Sequence, residues 1–502
     1  MPRFQLSSLF SDGAVLCRDR EIRLFGTAEE GTRLTARLLD AQGNALACGT
    51  CLAEGGRFLL LLPPQAAQTG CALRVSDGQE EVLYRDIAIG DVYLANGQSN
   101  MELELQNASE GRQLIPVHDN PLVRYYNVPK FPRECPEADD ANRNARWVPV
   151  APGTAADMSA AAYFFAMKLQ PALGVPVGII DCYWGGTSVT CWMDEEALAR
   201  CDEGQRYMRE YEENSRGKSL EQYLQEEEAF GQETRAWDQA AEKLKQQDPD
   251  ITPQGLKDAL GPYPWHPPIG CGSPFRPHGL FHTMLERVIP CALTGVLYYQ
   301  GEEDTWRTER YDILLTAYVL RLRELFMNDS LPFLNVQLPM WIDAGAQDSF
   351  TWPRTRLAQQ RVCDNLRNTG LAILIDEGEY DNIHPVNKRV VGERLYEEAM
   401  DVVYHRPARK AVFALGKYTV ENTLHIRLSA PVTAREKGEY LLEIAGQDGV
   451  YRPAQVSLSD SELLLSHPQI QHPISARYAW TDYAIVRLFG PDGLPLAPFW
   501  LR

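Results

Sequence analysis

Asp91-Val-Tyr-Leu-Ala-Asn-Gly-Gln-Ser-Asn-Met101 is the stretch on which the reading of this chain turns. The apolar run Val92–Ala95 predicts a buried parallel strand, because such strands are covered on both faces. Asn96-Gly97 then marks a sharp turn. Ser99 falls just past the strand end, with a helix expected within a few residues. Ligands of open α/β sheets bind at the carboxyl ends of strands. A serine displayed there can act as a nucleophile if a base stands beside it. The alternative is a serine that only caps a helix.

Working outward, strand-like and helix-like runs alternate on both sides of this stretch. Ala160–Leu173 reads as a helix and Val177–Tyr183 as a strand. Ala292–Tyr299 reads as a strand and Arg310–Leu325 as a helix. Pro332–Gln337 and Leu371–Ile375 read as strands, and Glu393–Val403 as a closing helix. Such alternation implies an α/β fold with a doubly wound, mostly parallel sheet. Residues 1–88 carry short alternating runs broken by turn signals, such as Ile22–Gly26 and Arg57–Leu62, and predict a β-sandwich-like unit. Residues 406–502 repeat that pattern. The core unit is therefore read as 89–194 and 273–405, interrupted by an insertion at 195–272. The charged part of the insertion, Glu195–Lys245, predicts one or two exposed helices. Asp248-Pro-Asp-Ile-Thr-Pro253 and Gly261–Pro268 predict a loop, in which Trp265, beside His266, is a rigid aromatic that could line a pocket. The insertion is read as a solvated excursion, an active-site cover or a homodimer contact.

The chain has 502 residues and a net charge of −19, which would repel nucleic acid and anionic membrane surfaces. No apolar run spans a bilayer, and Met1–Ser8 lacks a signal-peptide pattern, so a cytoplasmic location is expected. Eleven cysteines without a framework predict free thiols. Cys48-Gly-Thr-Cys51 reads as part of a hairpin. The spacing shows no metal-ligand cluster, and neither metal nor cofactor is expected.

The partner of Ser99 is sought in Asp381-Asn-Ile-His384-Pro385, a loop after the strand Leu371–Ile375. An Asp three residues before a His can hold one ring nitrogen while the other faces a serine. Pro385 would stiffen that turn.

Four blocks occur in order: Gly97-Gln-Ser-Asn-Met101, Trp184-Gly-Gly-Thr187 with Trp192, Tyr299-Gln-Gly-Glu302, and Asp381-x-x-His384-Pro385. Together they resemble the SGNH (GDSL-like) hydrolases, and within them the sialate O-acetylesterase and carbohydrate acetylesterase group. The resemblance covers nearly the whole chain. It implies Ser99 as nucleophile, His384 as general base and then acid, and Asp381 as the group orienting His384. It implies an oxyanion hole from the Ser99 N–H, an N–H of Gly185 or Gly186, and the Gln300 amide. Gln98, Asn100, Glu302 and Arg276 are candidates for contacting substrate. An acetylated sugar or oligosaccharide is the implied small-molecule partner. The group commonly carries a further β module where this chain has its charged helical insertion.

Overall fold

The computed structural model describes residues 3–249 and 251–502. Its spine is β1 (Glu81–Gly97), a 17-residue strand whose last eleven residues are buried. Its neighbours in the core sheet are β2 (Asn120–Asn127), β3 (Val177–Tyr183), β4 (Gly295–Tyr299), β5 (Phe333–Val336) and β6 (Thr369–Ala372). The order across the sheet is β2-β3-β1-β4-β5-β6, and every one of these pairings is parallel. A short antiparallel strand, Val148–Val150, closes the β2 edge. From β1 the chain first fills one side of the sheet and then crosses to the other. The direction of winding therefore reverses at β1, and ligands of open α/β sheets bind outside the carboxyl ends of the strands at such a reversal.

Side chains of a strand alternate between faces. Tyr93 and Ala95 of β1 join Val177, Ile179, Leu297 and Tyr299 in one core. That core is covered by α2 (Ala160–Leu173) and α10 (Lys388–Val402). Val92 and Leu94 join Ile180, Val296 and Tyr298 in a second core, covered by α8 (Tyr311–Leu325) and the N-terminal strands. Helices on both faces bear out the α/β reading.

The expected boundary at 88 falls inside β1. The amino half of that strand pairs with the antiparallel strand Gln68–Ser76, and Val15–Cys17 pairs beside it. The N-terminal sheet is thus continuous with the core sheet. Sequence alternation changes at 88 because burial changes from one face to two, while the backbone runs on. The C-terminal unit consists of antiparallel sheets and shares a core with Leu371, Ile373 and Ile375.

The insertion is more helical than expected. It holds α3 (Glu195–Ala199), α4 (Asp202–Ser215), α5 (Leu220–Gln247) and α6 (Pro253–Leu260). The last was read as loop. Thr252 caps it and Pro253 enters at its first position, where a missing N–H costs nothing. Asp250, within that loop reading, lies outside the described residues. No helix among the described residues is long and apolar enough to cross a membrane.

Candidate active site

Register aligns the three strand ends that matter. Gly97 pairs with Tyr183 of β3 and with Tyr299 of β4. The segments that follow, 98–102, 184–187 and 300–304, are thereby brought to one edge of the sheet. Gly97 is required there: its φ is +141°, and a Cβ would lie 2.1 Å from the Tyr299 carbonyl oxygen. Ser99 opens α1 (Ser99–Glu102), a single turn. As the first helical residue, its N–H has no acceptor within the helix.

His384 arrives from the loop between β6 and α10. Its Nε2 lies 2.8 Å from Ser99 Oγ. The pair, 285 residues apart in sequence, is joined as expected. Burial, and then the charge of Lys388, depress the imidazole below its ordinary value, while Glu102 opposes them. The ring is therefore neutral at neutral pH, the form that can accept a serine proton.

Asp381 sits differently from expectation. It adopts a left-handed φ of +60°, and its Oδ1 accepts the Ala344 N–H at 2.6 Å. Lys257, from α6 of the insertion, lies 3.8 Å from the same oxygen. No hydrogen bond joins it to His384 among the described residues. The carboxylate anchors the turn that carries the imidazole instead of gripping its ring.

The four candidate substrate contacts also turn inward. Gln98 Oε1 accepts the N–H groups of Gly301 and Glu303, both at 3.3 Å. Asn100 donates to Glu302 Oε1 at 2.5 Å and to the Ile383 carbonyl at 2.9 Å, and accepts from Lys388 Nζ at 2.5 Å. Arg276 donates to the carbonyls of Pro132 and Ser273. Gln98, Asn100 and Glu302 are buried and take partners from the protein, although Glu302 Oε2 has no hydrogen-bond partner among the described residues. Asn100 thereby fixes Ile383, the residue preceding His384, and Gln98 fixes the 300–304 turn.

Gln300 is likewise committed. Its amide donates to the Thr187 carbonyl at 3.0 Å and to Asp304 at 2.7 Å, and its oxygen accepts from Tyr311 at 2.7 Å. Both amide hydrogens are used, so it has none to offer an oxyanion. Asp304, fully buried, also accepts from Ser188, the Val189 N–H and Tyr207 of α4. It ties residues 188–189, the 300–304 turn and the insertion together.

The two glycines part company. A Cβ on Gly185 would lie 3.4 Å from that of Ser99, so this residue flanks the serine. Its N–H donates to Glu102 Oε2 at 2.5 Å, and Glu102 in turn meets Lys130 at 2.6 Å. Gly186, at φ +70°, lies under the ring of Trp265, and a Cβ there would come within 2.4 Å of it. Sequence reading flagged Trp265 as a pocket aromatic, and the insertion does bring it to this edge. Lys388 was missed. It is a lysine inside a helical pattern, with no sequence signal of its burial.

No family model matches the chain. Sialate O-acetylesterase of Rattus norvegicus is 24% identical over 492 residues, spanning 89% of this chain and 82% of that protein. The Homo sapiens sialate O-acetylesterase is 22% identical, spanning 99% and 92%. A carbohydrate acetylesterase from Xanthomonas citri superposes with a TM-score of 0.77 at 25% identity, covering 99% of both chains. In both sequence and fold, the chain is thus similar over nearly its whole length to the sialate O-acetylesterase and carbohydrate acetylesterase group.

Proposed function

We propose that the chain is a serine O-acetylesterase of acetylated sugars, with Ser99 as nucleophile and His384 as base. The observation that carries this is the 2.8 Å contact between Ser99 Oγ and His384 Nε2 at the carboxyl edge of β1. Ser99 Oγ attacks the acetyl carbonyl carbon while Nε2 takes its proton. The tetrahedral intermediate collapses, the proton passes to the departing sugar oxygen, and the acetyl group stays on Ser99. Water, deprotonated by His384, then attacks that ester and releases acetate. The oxyanion is held by the Ser99 and Gly185 N–H groups, the acyl oxygen replacing Glu102 at the latter. Each such donor contributes about 3 kcal/mol to the transition state. Asp381 is a positioning residue that fixes the turn bearing His384.

The substrate reading rests on the named activities of the relatives and on Trp265, which lies over Gly186 at the serine edge and offers an apolar face against which a sugar ring can stack. The test is acetate release from an O-acetylated sialic acid, acetylated xylo-oligosaccharides and a long-chain acyl ester. Release from either sugar, with no turnover of the long-chain ester, is expected. In Ser99→Ala it should fall by about three orders of magnitude or more, with an unchanged circular dichroism spectrum. Retained turnover in that variant would refute the nucleophile, and no acetate from either sugar would refute the substrate class.

A further inference from the structure

Sequence spacing pointed to no metal cluster, yet folding assembles one. His278 and His282 lie four residues apart, flanking and within α7 (Gly279–Thr283). Glu195, the first residue of α3, reaches them from 83 positions upstream of His278. Both its carboxylate oxygens lie 3.1 Å from His282 Nε2, and one lies 3.5 Å from His278 Nδ1. One donor atom from each of the three residues falls within 4.8 Å of the others. A tetrahedral zinc ion, with bonds of about 2.1 Å, sets its ligand atoms about 3.4 Å apart. Small side-chain adjustments cover the difference.

Two further features point to a ligand. His282 Nδ1 lies 3.2 Å from Glu286 Oε2. A carboxylate on one ring nitrogen fixes the tautomer that presents the other nitrogen's lone pair, as in carboxylate–histidine–metal arrangements. His278 Nδ1, in turn, is buried without a hydrogen-bond partner and faces the same point. Its backbone holds the left-handed φ of +55°, a conformation uncommon outside glycine. His282 and Glu286 also line a groove of about 1050 Å³ beside the N-terminal unit, which gives an ion a way in.

We propose that Glu195, His278 and His282 form a binding site for a divalent transition-metal ion, zinc foremost, with Glu286 orienting His282 and water filling the fourth position. Two imidazoles and one carboxylate suit zinc, copper or nickel, whereas calcium and magnesium take oxygen ligands alone. The site has a structural purpose in this chain. Glu195 begins the insertion at 195–272, and His278 and His282 follow its end. A bound ion clasps the two ends of the insertion that brings Trp265 to the serine edge.

The experiment uses the full chain stripped by chelator and titrated with zinc against a chromophoric competitor. One saturable equivalent per chain is expected, together with a melting temperature raised by zinc. The double variant His278→Ala, His282→Ala should lose both effects. Glu286→Gln, which keeps all three ligands, should bind one equivalent about 10- to 100-fold more weakly. Cobalt in place of zinc should give visible bands of low-coordinate geometry without thiolate charge transfer, since free cysteines could otherwise capture it. The titration of the unaltered chain stands even if a variant fails to fold. No saturable uptake by that chain would overturn the site, leaving a histidine–carboxylate ion pair. So would thiolate bands, or uptake that survives the double substitution intact.

Discussion

At the scale of single residues, the candidate site is governed by what each polar group has already bonded. His384 has an accessible lone pair because burial and the Lys388 charge hold it neutral. A depressed histidine is protonated only below its folded value, so activity is full above that value and lost as pH falls through it. The acid limb of kcat/KM should therefore lie below 6.5, and a limb above that pH would contradict the burial of the imidazole. Asp381 makes a second prediction. If it works by anchoring the turn through the Ala344 N–H, Asp381→Asn keeps an acceptor and should retain clearly more activity than Asp381→Ala. Equal, drastic losses in kcat would show that its charge, not its hydrogen bond, supports His384. The serine and histidine were legible in sequence because their types and flanking turns are distinctive. The fates of Gln300, Gln98 and Asn100 were not. An amide looks the same in sequence whether its hydrogens face a substrate or a neighbouring carbonyl.

At the scale of elements, the segments around Ser99 are held by polar links between the ends of β1, β4 and α10. Lys388, the first residue of α10, is fully buried against Asn100, and burial pushes its ammonium down to about 7 from an ordinary 10.5. Between those two values the unfolded chain binds the proton and the folded chain does not. Stability therefore rises with pH across that window, the cost of burying the charge being complete below about 7. Thermal unfolding followed from neutral to alkaline pH should show this rise, and Lys388→Met should flatten it. A rise of equal size in the variant would assign it elsewhere. Strand and helix identities were readable because burial on two faces gives continuous apolar runs. The helix at 253–260 was not, since Pro and Asp before it read as a break until Thr252 is seen to cap it.

At the scale of the whole molecule, the flanking β units are built into the core sheet. β1 runs through the N-terminal sheet into the core, and the C-terminal unit packs Leu424, Ile426 and Leu463 against Leu371, Ile373 and Ile375. Arg356, wholly buried in α9 (Thr351–Asn365), donates to the Thr481 carbonyl. Asp482 accepts the Ser349 and Trp352 N–H groups. Removing residues 406–502 strips partners from these buried groups and bares an apolar face. The intact chain should unfold in one calorimetric transition, and the truncated chain should be insoluble or lack a cooperative transition. A stable truncated chain that still releases acetate would show the unit to be dispensable.

The amino-acid sequence by itself determined the alternation of strands and helices and the identity of the Ser99 and His384 pair. These are written in local pattern: apolar runs, turn glycines and short motifs whose residue types carry their own chemistry. Only the tertiary structure decided which polar groups are spent inside the protein, that Gly185 rather than Gly186 flanks the serine, and that Glu195 meets His278 and His282. Those outcomes depend on distances between residues far apart in the chain, and no local pattern encodes a distance. They follow from packing and from the cost of leaving a buried donor or acceptor without a partner.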